Sequence, residues 1–125
     1  MAIPQPCPSP RPSASCRGWA GPAQLTDQQL VIRVMSPRAR CAMAAIDPDE
    51  WFPVATVARA ARAEAARALA LCAVCPVRAE CLELSLRYWR TVGRYGIWGG
   101  LVEPERAAAY RAWRAPTCQR CLAQT

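Results

Sequence analysis

The chain contains no histidine, no lysine and a single phenylalanine. Without histidine there is no imidazole for acid–base work near neutral pH, and histidine-based zinc protease sites are excluded. Without lysine, no phosphate loop of the lysine-dependent kind can form. Large apolar side chains are scarce as well. Leu, Ile, Val and Phe together make 22 of 125 residues, whereas alanine alone makes 25. A core drawn from so few large side chains is thin, and a chain of this size then needs a staple, either disulfides or a metal. Long hydrophobic runs are missing too: the longest, residues 68–74, is far too short to cross a bilayer. The N-terminal stretch has no basic patch followed by an apolar run, so no secretory leader is expected and the chain reads as cytoplasmic.

What the chain has in quantity is cysteine, eight residues, and arginine, which supplies all sixteen of its basic groups and a net charge of +7. A reducing compartment does not favour four stable disulfides, so clustered thiols there read as metal or cluster ligands, or as redox-active dithiols. The charge is uneven. Residues 41–100 are nearly balanced, and the excess lies in the flanks, as suits a compact centre with basic extensions.

Residues 1–24 are rich in Pro and Ser and read as a disordered tail; 25–40 reads as a linker in which LVIRVM could form a short strand or helical turn, closed off by Pro37 and three arginines. The domain proper spans 41–114, with 115–125 as a C-terminal tail. Within it, D47-P-D-E-W-F-P53 reads as a turn presenting Trp51 and Phe52. One helical run follows over 54–75, its apolar arc made of Val57, Ala61, Ala65, Ala68, Leu69 and Cys72. Pro76 favours a new helix start, with Val77, Cys81, Leu84 and Tyr88 on one face. Residues 91–100 hold four glycines and read as a tight turn, and a last helix covers about 104–114. The expected fold is all-α, an irregular bundle of three to four short helices with disordered ends.

The cysteines stand at 7, 16, 41, 72, 75, 81, 118 and 121. The sharpest group is C72-x2-C75-x5-C81. Its members cannot share one face of a straight helix, but a break at Pro76 would let the chain wrap around a centre. Three thiolates leave a tetrahedral ion or an iron–sulfur cube one ligand short, and Cys41 is the best fourth. Cys118 and Cys121 form a second C-x2-C, and pairing them with Cys72 and Cys75 would give a more ordinary zinc spacing. Spacing alone leaves zinc, an iron–sulfur cluster and a redox dithiol open.

The order Cys41, then D47-P-D-E-W-F-P53, then C72-A-V-C-P-V-R-A-E-C81-L, then G96-I-W-G-G-L101, then E105-R106 resembles the WhiB-like family of actinobacterial iron–sulfur regulators. The resemblance covers about 41–110. It implies a [4Fe-4S] cluster on Cys41, Cys72, Cys75 and Cys81, a response to oxygen, nitric oxide or redox state, and a role in transcription. It also implies binding to the principal sigma factor of RNA polymerase through the turn Gly96, Ile97, Trp98, Gly99 and Gly100. A further implication is a protein disulfide reductase activity of the cluster-free form, using Cys72 and Cys75 as its catalytic pair. Against that enzyme reading, no thioredoxin-like βαβ context surrounds this C-x2-C. A zinc-stapled interaction module is the third class. DNA is the weaker partner expectation: Arg106, Arg111 and Arg114 on the last helix could meet phosphates. Val102 and Glu103 stand where the family often has a Thr or Ser helix cap.

Overall fold

In a computed structural model, residues 22–43 and 45–114 are described. The two tails, with Cys7, Cys16, Cys118 and Cys121, lie outside the described residues. Among the described residues the fold is an irregular all-helical bundle whose strand-like pairing is confined to one bridge between Trp98 and Leu101.

The first helix, α1 (Asp27–Val34), occupies the stretch expected to be a linker. Its cause is local and strong. The Thr26 side chain accepts a hydrogen bond from the Gln29 amide at 3.1 Å, and the Gln29 side chain accepts from the Thr26 amide at 2.9 Å. This capping box satisfies two amides that a helix start otherwise leaves orphaned. Leu30 is fully buried as α1 packs along α4 (Arg78–Arg87). Arg87 then ties the N-terminal strand of chain to the bundle. It donates to Asp27 at 2.7 Å, to Glu83 at 2.9 Å, and to the carbonyls of Pro22 and Ala23 at 3.2 and 3.4 Å.

The helical run expected over 54–75 is two helices, α2 (Ala58–Glu64) and α3 (Ala66–Ala73), bent at Ala65. With α4 and α5 (Glu103–Trp113) this makes five α-helices among the described residues, where three to four were expected. The bend sits where close packing demands it. Ala61, Ala65 and Ala68 are almost wholly buried against Ile97 and Val102, so backbones approach closely along a stripe of methyl groups. An alanine run carries no side-chain mark of such a bend, because each residue favours helix equally well. Val57, assigned to the apolar arc, lies outside α2 as its N-cap and is exposed.

Two carboxylates pin the 47–55 loop to these helices. Glu50 accepts from Arg67 and from the Ala68 amide, each at 3.0 Å, and Glu64 accepts from the amides of Val54 and Ala55 at 2.9 and 3.3 Å. After α4 a wide π-helical turn, Trp89–Gly93, carries the chain into the glycine-rich segment. The start of α5 lacks a Ser or Thr cap, yet the Glu105 side chain accepts from the Val102 amide at 3.1 Å and does part of the same work.

Among the described residues, the largest fully buried side chain is Arg106 on α5. Its guanidinium donates to the carbonyls of Gly96 (2.5 Å), Leu101 (2.9 Å) and Gly93 (3.0 and 3.3 Å), and lies 5.7 Å from the centre of the Trp89 ring. Burial lowers its pKa to about 10, which still leaves it charged at neutral pH. A buried charge survives when its hydrogen bonds are met, and here the carbonyls of three residues meet them. Replacing Arg106 by Ala strands those carbonyls, so chemical denaturation should show a loss of about 3 kcal/mol or more. Arg111→Ala, on the exposed side of the same helix, should change stability by less than about 0.5 kcal/mol.

Candidate metal centre

The four central cysteines come from three places in the chain. Cys41 lies in a 3-10 turn, Arg40–Met43, which packs against α3. Cys72 stands on the last turn of α3, and Cys75 follows in the turn that closes when its amide donates to the Cys72 carbonyl at 3.1 Å. Pro76 then separates that turn from α4, whose first turn carries Cys81. All four line one small cavity of about 40 Å³, together with Trp51, Arg78 and Gly99. Among the described residues, no three His, Cys, Asp or Glu side chains gather tightly enough to hold a metal ion. The thiols share the wall of a cavity rather than surrounding a point.

Burial pushes up the thiols of Cys41, Cys72 and Cys81, most strongly at Cys81, which reaches about 12. The negative charge that neighbouring thiolates would carry adds to the rise at each of the three. Backbone amides oppose it at each of the three: that of Cys41 at its own sulfur, that of Gly100 at Cys72 and that of Gly99 at Cys81. The Arg78 guanidinium also favours the thiolate at Cys72. Three thiols that resist ionising one by one, with backbone amides and a cation favouring their thiolates, suit a polycation that neutralises them together.

The glycine segment supplies those amides by its backbone geometry. Gly99 and Gly100 have φ of +60° and +80°, where a side chain would be strained. A Cβ on Gly99 would also meet the Leu82 Cβ at 2.6 Å, so glycine here lets the turn lie directly on α4. Of the five residues Gly96–Gly100, all but Trp98 are buried. Trp98 is half-buried, and its indole N–H donates to the Tyr95 carbonyl at 2.7 Å. Tyr95 and Phe52 beside this turn are exposed, with the Phe52 ring against Gly96.

The expected phosphate contacts need one correction. Arg111 on α5 and Arg114 at its C-cap are exposed, but Arg106 is buried beneath the glycine turn and cannot reach a phosphate. Its residue type suggested a surface role, and tertiary packing gave it an internal one. Trp51, Glu50 and Arg78 were not singled out as site residues. Trp51 and Arg78 wall the cavity, and Glu50 holds the Trp51 turn against α3. The available signal was the place of Arg78 between Cys75 and Cys81, and of Glu50 and Trp51 within the D47–P53 motif.

A family model described as Transcription factor WhiB matches residues 36–109, a span that contains all four cavity cysteines and the glycine turn. Comparisons with curated proteins and with solved structures return no match.

In the metal-free chain, the exposed Cys41 should be alkylated by iodoacetamide at pH 8 at least about tenfold faster than Cys81, because the thiolate is the nucleophile. Peptide mass spectrometry over time measures both rates. Equal rates would contradict the burial of Cys81.

Proposed function

The chain belongs to the WhiB family of transcription factors, which implies a redox-sensitive regulatory role, and on that premise we propose a [4Fe-4S] regulator that binds the principal sigma factor. The observation that carries this reading is the convergence of Cys41, Cys72, Cys75 and Cys81 on one cavity from separate elements. Such a cluster, when bound, supplies an iron centre open to electron transfer and to attack by oxygen or nitric oxide. The chain's own part is to hold it. Cys41 comes from the exposed edge, Cys72 and Cys75 from the end of α3, and Cys81 from α4, so occupancy would fasten together three segments of a thin core. Loss of the cluster then weakens the packing of those segments, which turns a redox event into a folding signal.

The surface that meets the sigma factor is, on this reading, the aromatic side of the glycine turn. Trp98, Tyr95 and Phe52 are available there, whereas Ile97 and the glycines act from beneath by fixing the turn's shape. Aromatic anchors on a rigid support carry a large share of interface energy. The basic groups left for DNA phosphates are Arg111 and Arg114, the latter 5.7 Å from the centre of the Tyr110 ring. They would add affinity that falls with salt and carries no base preference.

Purified without oxygen, the protein should contain about four irons and four acid-labile sulfides per chain. Cys41→Ala and Cys81→Ala should each lose them. Trp98→Ala should keep the cluster while weakening binding to the sigma factor's C-terminal domain at least about tenfold. One zinc and no sulfide in the wild-type protein would defeat the proposal.

A further inference from the structure

Arg78 stands in a place that local rules disfavour. It is the first residue of α4, and a cation there faces the positive end of the helix dipole. Its Nε donates to the Gly99 carbonyl at 3.2 Å. The guanidinium lies flat against Gly100, since a Cβ on that glycine would meet Nε, Cζ and Nη2 at 2.9–3.1 Å. The same side chain lines the cysteine cavity on one side. On the other it lines an outer groove of about 600 Å³ shared with Cys75, Pro76 and Leu82. Arg78 therefore touches both Gly99 and Gly100, and it forms part of the wall of the cavity that Cys72 and Cys81 line.

Taking the cluster reading above as its basis, we propose that Arg78 is a positioning residue that clamps the Gly99–Gly100 turn onto the thiolates and sets how readily the bound cluster accepts an electron. Four thiolates on a [4Fe-4S]2+ core give a net charge of −2, and one electron from an external donor takes it to −3. A cation and two amide donors aimed at the sulfurs favour the more negative form, so each raises the reduction potential. Because the clamp is a bond to the turn's own backbone, the side chain also couples the cluster to the surface that presents Trp98. A change of charge at the sulfurs is felt by Arg78, and Arg78 holds the turn.

The test compares anaerobically reconstituted wild-type protein with Arg78→Gln and Arg78→Lys. Iron and sulfide content comes first, then a dithionite titration followed by electron paramagnetic resonance, then hydrogen exchange at the 99–101 amides. In Arg78→Gln the ratio of reduced to oxidised cluster at the wild-type midpoint should fall about tenfold, or about 59 mV for one electron. In Arg78→Lys the charge remains, so most of that ratio should be restored, but the Gly99 and Gly100 amides should exchange faster because a lysine amine cannot reproduce the fork against the turn. A fully loaded Arg78→Gln protein that titrates as wild type would overturn the proposal. Should Arg78→Gln fail to hold the cluster, Arg78→Lys decides: faster exchange at the turn supports the clamp, and wild-type protection refutes it. A wild-type chain without iron and sulfide sinks the underlying functional reading, a result distinct from a loaded variant with an unchanged potential.

Discussion

Arg106 carries a charge into the interior of a protein that has little apolar bulk to surround it, and the bundle is arranged so that this charge is met. Its four hydrogen bonds run to the carbonyls of Gly93, Gly96 and Leu101, which bracket the glycine turn on both sides. The turn can take the shape those bonds require because Gly96, Gly99 and Gly100 adopt positive φ. Once it is in that shape, the amides of Gly99 and Gly100 face the sulfurs of Cys81 and Cys72. One buried cation on α5 thus fixes the donors that serve a thiol cavity between α3 and α4.

Where α2 and α3 meet the turn, the core is built from small groups. Ala61, Ala65 and Ala68 allow α2 and α3 to lie close against Ile97 and Val102. Close packing of methyl groups removes less apolar area from water than packing of leucines would. Polar ties compensate at the edges: Glu50 and Glu64 hold the 47–55 loop, and Arg87 holds α1 and the residues before it. A molecule assembled from ties of this kind has limited reserve. This gives physical content to the proposal that a cluster joining Cys41, Cys72, Cys75 and Cys81 governs whether the domain stays intact.

Much of the candidate site was legible before the fold was known. C72-x2-C75-x5-C81 with Cys41 as fourth ligand named the four thiols that share the cavity, and the family match covers all of them. The glycine cluster announced a turn, and Pro76 announced the break between α3 and α4. Other features were misjudged for identifiable reasons. The capping box T26-D-Q-Q29 is the sequence signal that separates a helix from the short strand or helical turn that LVIRVM alone allows. The bend at Ala65 had no signal at all, since alanines are alike in helix preference and only their packing against Ile97 and Val102 differs. Arg106 was read as a surface cation because arginine is rarely buried unless paired. Its partners are backbone carbonyls, and those leave no trace in residue type.

The amino-acid sequence by itself determined the local elements: helix-forming runs, their starts at Thr26 and Pro76, the turn glycines and the grouping of the central cysteines. These depend on backbone preference and on neighbours a few residues away, which a linear string displays directly. Only the tertiary structure decided that Arg106 is internal, that Arg78 bridges the cavity and the glycine turn, and that Trp98 is left accessible while Ile97 is buried. Each of those outcomes is a matter of burial and of backbone groups brought together from distant positions. Burial of a side chain is set by whatever packs over it, and for this chain that depended on how five short helices close around one glycine turn.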